Sequence, residues 1–160
     1  MGKIKILAIG DVHGDRGLIT RLAKKAEKEK VDIVILAGDL TFAERSLEGI
    51  IGPFIEKQKE VLIIPGNHES ITTIELLSAL YPNTKSLHGE SLKKGELGIF
   101  GSGFADIGIH AISDKEIFDL LKKSHEKIKD AKRKIMVTHM PPRGSKSEIL
   151  SGFKGSESVR

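Results

Sequence analysis

Four polar motifs, each set directly behind a short apolar run, constrain this chain more than any other feature. They are Gly10-Asp11-Val12-His13-Gly14 after Ile4–Ile9, Gly38-Asp39 after Ile33–Ala37, Gly66-Asn67-His68-Glu69 after Val61–Ile64, and Thr138-His139-Met140-Pro141-Pro142 after Ile135–Val137. Runs of that length, rich in Ile and Val, read as buried parallel strands. In an open α/β sheet, ligands bind beyond the carboxyl ends of the strands. The four motifs are therefore expected to converge on one edge and to make a site there.

The residue types set the chemistry of that site. Asp11, His13, Asp39, Asn67 and His139 offer carboxylate oxygen, imidazole nitrogen and amide oxygen, and the chain has no cysteine. A mixed oxygen and nitrogen set without thiolate suits two divalent ions such as Mn, Fe, Zn or Co, and excludes an iron–sulfur centre. Two ions roughly 3.5–4 Å apart need a bridging carboxylate, and Asp39, central in the set, is the candidate. Such a pair clamps phosphoryl oxygens and lowers the pKa of a bound water, giving a hydroxide nucleophile near neutral pH. Taken singly, a Gly-Asp is commonly an ordinary turn and a lone His a surface residue. Four such motifs in order, all at strand ends, are not explained that way.

At these residues the sequence resembles the calcineurin-like metallophosphoesterases, over essentially the whole chain. The resemblance implies an α/β fold of two packed sheets flanked by helices and a bimetallic phosphoesterase acting on a phosphomonoester or phosphodiester. It implies that Asp11 and His13 hold the first metal, that Asp39 bridges, and that Asn67 and His139 hold the second. His68 would lie beside the phosphate as general acid or transition-state stabiliser. Arg143, just after the His139 motif, is a weaker candidate for pairing with substrate phosphate. The series lacks Val-Asp-Arg-Gly after Gly38-Asp39, so a protein substrate is not assigned.

The family normally closes its motif series with Gly-His-x-His, which these 160 residues do not contain. The expectation is a single domain over residues 1–160 that lacks its C-terminal portion. Two consequences follow. A non-catalytic interaction module on the same fold stays open as an alternative function, and uncovered apolar surface or an unpaired edge strand is expected to drive homo-oligomer formation.

Composition narrows the partners. The net charge is +4 from 26 basic and 22 acidic residues, with Lys and Glu interleaved as in Lys24–Lys30. That is a solvated helix face, and with no Trp and one Tyr there is little for bases to stack on. Nucleic acid is not expected as an obligate partner. The N-terminal apolar run is interrupted by Lys5 and is too short for a signal peptide or membrane span, so a cytoplasmic protein is expected. One Gln, two Asn and many Lys, Glu and Ile give a thermophile profile.

The remaining pattern places helices over about 15–30, 70–80 and 113–131, capped by Asp15, Ser70 and Ser113. The inward residues are expected to be Leu18, Leu22, Ala23 and Ala26, then Ile74, Leu77 and Leu80, then Ile117, Leu120, Leu121 and Ile128. Gly49, Gly52 and Pro53 break a further helical pattern between Leu47 and Ile55. Leu87, Leu92 and Ile99-Phe100 read as short antiparallel strands of a second sheet. Gly101-Ser102-Gly103 reads as a tight turn, and Gly155–Val159 as the start of a helix. His125 reads as a surface residue and His88 as a strand-end residue, and His110 as more often outside the site than in it.

Overall fold

A computed structural model describes residues 3–45 and 47–160. The Ile/Val runs form a four-stranded parallel sheet of β1 (Ile6–Ile9), β2 (Ile33–Ala37), β3 (Glu60–Ile64) and β4 (Thr84–Ser86), in that spatial order. Register pairs Ile6 with Ile33, Val34 with Val61, and Val61 with Thr84. A second sheet holds β5 (Ser91–Lys94), β6 (Leu97–Ser102) and β7 (Arg133–Thr138), with β5 antiparallel and β7 parallel to β6. Helices α1 (Arg16–Lys28), α2 (Gly52–Glu56), α3 (Ile71–Leu80), α4 (Asp114–Glu126) and α5 (Lys146–Ser151) complete the chain.

Alternation along the central strands builds the layers. Val34, Leu36, Val61 and Ile63 face Ile19, Ala23, Ala26, Phe54, Ile74 and Leu77 of the first three helices. Ile33, Ile35, Leu62 and Ile64 face the other way and pack on Leu97, Ile99 and Val137 of the second sheet. The outer side of that sheet, through Phe100, is covered by Ile117 and Leu121 of α4 together with Ile128 and Ala131. The result is the helix–sheet–sheet–helix sandwich expected from the sequence.

The caps are those of the sequence. Asp15 accepts from the Leu18 amide at 2.8 Å, and Ser70 from that of Thr73 at 3.2 Å. Ser113 and Glu116 form a reciprocal capping box.

Several local expectations are corrected. The fourth motif follows a strand of the second sheet and not of the first, so the site lies where the ends of two stacked sheets meet. Leu87 follows β4 in the first sheet, because its amide donates to the Ile63 carbonyl at 2.8 Å. Leu80, read as inward, is 64% exposed at the last turn of α3. Helix α4 stops at Glu126, and Leu120 is only partly buried. Gly101 and Ser102 belong to β6, and Gly103 packs on Pro65, so the segment is not a free turn. Gly155–Val159 is a docked turn rather than a helix start. Ser156 and Ser158 donate to the Asp114 carboxylate at the start of α4, and Val159 is buried beside that helix. The outer face of the second sheet is not left open; the unpaired elements there are the edge strands β5 and β7, with Met136 of β7 42% exposed.

Candidate metal centre

The loops after β1 and β2 are zipped together by backbone. Asp11 N donates to Gly38 O at 3.1 Å, His13 N to Asp39 O at 2.9 Å, and Gly14 N to Leu40 O at 2.9 Å. This pairing holds Asp11, His13 and Asp39 in left-handed backbone conformations, with φ of 54°, 45° and 49°. Such strain in non-glycine residues persists only where surrounding structure enforces it, and it clusters at functional sites. The loop after β3 is tied in by buried Glu69. Its carboxylate accepts from Thr41 N at 2.9 Å, Thr41 Oγ1 at 3.0 Å and Gly66 N at 2.9 Å. Glu69 thus joins the Asp39 loop to the Asn67 loop, a role the sequence did not reveal although the motif contains it.

Two glycines make the convergence possible. A Cβ on Gly66 would lie 2.0 Å from Asp39 Oδ1, and one on Gly38 would lie 2.5 Å from His139 Nδ1. No side chain fits at either position. The close approach brings the fourth motif in, and His139 Nδ1 lies 3.0 Å from Ala37 O.

Asp39 sits at the middle. It is 4% exposed, and its Oδ1 accepts from the His68 amide at 3.3 Å. Three imidazoles face it, with Nε2 of His139 at 3.5 Å from Oδ1 and Nε2 of His13 and His68 each at 3.9 Å from Oδ2. Among the described residues no Lys or Arg pairs with it. A buried carboxylate without a cationic partner is costly, and such carboxylates pair or coordinate metals.

The donor set supplies the direct test of fit. A carbonyl only accepts, so His139 must carry its proton on Nδ1, where Ala37 O receives it. Its Nε2 then presents a lone pair. Asn67 Oδ1, 3.2 Å from that Nε2, is also an acceptor, and Asp39 Oδ1 is a third. With His139 as the neutral imidazole these are three acceptor atoms turned on one point, an arrangement that a cation between them relieves. The His139–carbonyl contact is the outer partner that metal-ligating histidines almost always have.

Ligand atoms within 4.8 Å of one another form two groups, Asp11-Asp39-His139 and His13-Asp39-His68. Asp39 belongs to both, as a bridging residue must. The grouping differs in detail from the one implied by resemblance, because Asp11 lies with His139, and His68 lies within the second group. All six side chains line one cleft, so the structure brings together every metal candidate and His68.

Arg143 is not brought there. Its Nε lies 3.6 Å from Glu148 and 3.8 Å from Glu157, and it lines a small adjoining cavity that shares Asp106, Met140 and Lys154 with the cleft. His110 does not line the cleft. His88 accepts from Gly103 N at 3.0 Å on Nδ1, and burial, with Lys123 adding to it, pushes its pKa down to about 4. His125 is half-buried against Phe100 rather than on the surface, at 5.3 Å between rings.

No motif announced the residues around the metal candidates. Phe42, five residues after Ala37, lies with its ring centre 4.9 Å from that of His68 at 31°. Its loop is held by Glu44, whose carboxylate accepts from Ser70 N at 2.8 Å and Thr73 Oγ1 at 2.6 Å; the Ser70 side chain foremost, then Thr73 and the Ser70 amide, draw its pKa down to about 2. Asp106, Ile107, Phe153 and Lys154 line the cleft from loops that carry no motif.

Over residues 4–159 the sequence matches the calcineurin-like phosphoesterase family. The chain belongs to that family. Among solved structures it is similar to TT1561 of Thermus thermophilus, at 20% identity and a TM-score of 0.77, over 98% of this chain and 75% of that one. A second crystal structure aligns at 16% identity and a TM-score of 0.72, over 96% of this chain and 77% of its own. At those identities the likeness shows the shared fold. No curated protein matches the sequence. No helix among the described residues of this calcineurin-like phosphoesterase is long and apolar enough to cross a membrane.

Proposed function

We propose that the chain is a metal-dependent phosphoesterase that binds two divalent ions through Asp11, His13, Asp39, Asn67 and His139 and hydrolyses a phosphomonoester or phosphodiester. The reading is carried by one observation, the convergence of acceptor atoms from Asp39, Asn67 and His139 on one point, with the proton of His139 committed to Ala37. Family membership and the strained loops that hold these residues support it further. The bound ions would supply Lewis acidity toward phosphoryl oxygen and a water of lowered pKa.

The chain's own residues do the rest. Asp39 neutralises charge at the centre of the site and fixes the spacing of the two groups. Glu69, with Thr41 and Gly66, keeps the Asp39 and Asn67 loops in register, so the ligand atoms need no rearrangement. His68, flanked by Phe42 and with its ring centre 5.3 Å from that of His13, would donate a hydrogen bond or proton to the ester oxygen that leaves.

The test is hydrolysis of p-nitrophenyl phosphate and bis-p-nitrophenyl phosphate by the metal-free protein before and after addition of Mn²⁺ or Zn²⁺. Activity that appears with metal, is lost to a chelator and returns on adding metal back is the expected result. Absence of both hydrolysis and metal uptake would leave the fold as a binding module.

A further inference from the structure

The cleft at the metal centre encloses about 440 Å³, far more than a phosphoryl group needs and in the range that accepts a whole organic ligand. Its metal side is polar. The rest of the lining is mixed: Ala105, Ile107, Met140, Pro141 and Phe153 are apolar, and Asp106, Ser147, Ser151 and Lys154 are polar or charged.

Phe153 is 61% exposed, although a ring of that size is normally buried. Lys154 pairs with no carboxylate among the described residues. Neither residue hangs on a free loop. Gly152, at φ 72°, ends α5 in a left-handed turn, and Phe153 N donates to Ser151 Oγ at 3.2 Å. On the other side, Gly155 N donates to Glu148 Oε1 at 2.8 Å, and Arg143 N and Ser156 O pair at 2.9 Å. The two side chains are thus held at the cleft by a backbone fixed before and after them, which lowers the ordering cost of binding there.

We propose that Phe153 and Lys154 form the substrate-selecting wall of this cleft, favouring phosphoesters whose organic group is a planar aromatic. The ring of such a group packs on Phe153, and the ammonium of Lys154 draws in the phosphoryl charge. This rests on the phosphoesterase reading, and the test separates the two. Phenylphosphonate and methylphosphonate carry the same charged head and differ in the organic group. Their dissociation constants are measured by calorimetry on the Mn²⁺-saturated protein, on Phe153→Ala and on Lys154→Gln. Both side chains are exposed, so neither change opens a cavity.

The expected result is a preference for phenylphosphonate of about tenfold or more, abolished in Phe153→Ala with methylphosphonate binding unchanged. Lys154→Gln should weaken both ligands several-fold alike, an effect that shrinks as salt is raised. Equal binding of the two phosphonates to the parent protein, or a preference that survives Phe153→Ala, overturns the inference while leaving the phosphoesterase reading in place. Failure of both phosphonates to bind the metal-loaded protein removes that reading and the inference with it.

Discussion

His139 Nδ1 and the carbonyl oxygen of Ala37 lie 3.0 Å apart, and that contact decides what the other ring nitrogen can do. With the proton held on Nδ1, Nε2 offers a lone pair to the same point as Asp39 Oδ1 and Asn67 Oδ1. The carbonyl ends β2 of the first sheet, and the histidine follows β7 of the second. The contact therefore ties the metal site to the stacking of the two sheets.

Asp39→Asn should lower metal affinity by more than the roughly 10–100-fold typical of losing an outer-shell partner, since it removes charge from both ligand groups. Asp32→Asn should leave metal binding unchanged, because Asp32 sits at the other end of the same strand and caps Lys5 N at 2.8 Å. Metal content after dialysis measures both. Equal losses would mean that strand-end placement does not define the site.

Most of this architecture was legible in the chain. The Ile/Val runs placed β1 to β3 and β7, and Asp15, Ser70 and Ser113 marked true helix starts, because strand burial and capping are local chemistry. The sheet that receives β7 was not legible, since a short apolar run reads alike in either sheet, and this one proves to be an edge strand with Met136 exposed. Leu80 failed because three-residue steps drift around a helix of 3.6 residues per turn, and Tyr81, in line with Ile74, packs on the core instead. Arg143 was drawn off by Glu148 and Glu157, which lie beyond it in sequence. Phe153 and Lys154 escaped because a cleft wall built from a pinned loop carries no periodicity and no motif.

Gly66→Ala should cost stability and metal together. The new methyl would meet Asp39 Oδ1 at 2.0 Å and Asp39 N at 2.3 Å, and the Asp39 loop must give way. Overpacking of this kind costs about 1–3 kcal/mol. A lowered denaturant midpoint with reduced metal content is expected, and a variant with both unchanged would show that the approach of the two loops is looser than described.

His68→Asn should keep metal content and fold while lowering kcat on p-nitrophenyl phosphate by about 10²–10⁴-fold, the usual size of a proton-donor contribution. KM should move less. Parallel loss of metal would make His68 a ligand instead, consistent with its place beside His13 and Asp39.

His88 gives an acid-sensitive contribution to stability. Unfolded, it takes a proton near pH 6.5; folded, burial holds it neutral until about pH 4. The unfolded state therefore binds more protons across that window, so stability falls as pH drops from about 6.5 to 4 and is flat in this respect above it, by up to ~3 kcal/mol. His88→Asn, whose amide oxygen can still accept from Gly103 N, should show a shallower decline over the same range in denaturant titrations. An unchanged pH slope would rule the contribution out.

If Asp39 bridges two ions, electron paramagnetic resonance of the Mn²⁺-saturated protein will register their coupling. Two Mn²⁺ per chain with the spectrum of a magnetically coupled pair are expected, replaced in Asp39→Asn by isolated or unbound ions. A single Mn²⁺ per chain at saturation, or two without magnetic coupling, would contradict the bridge.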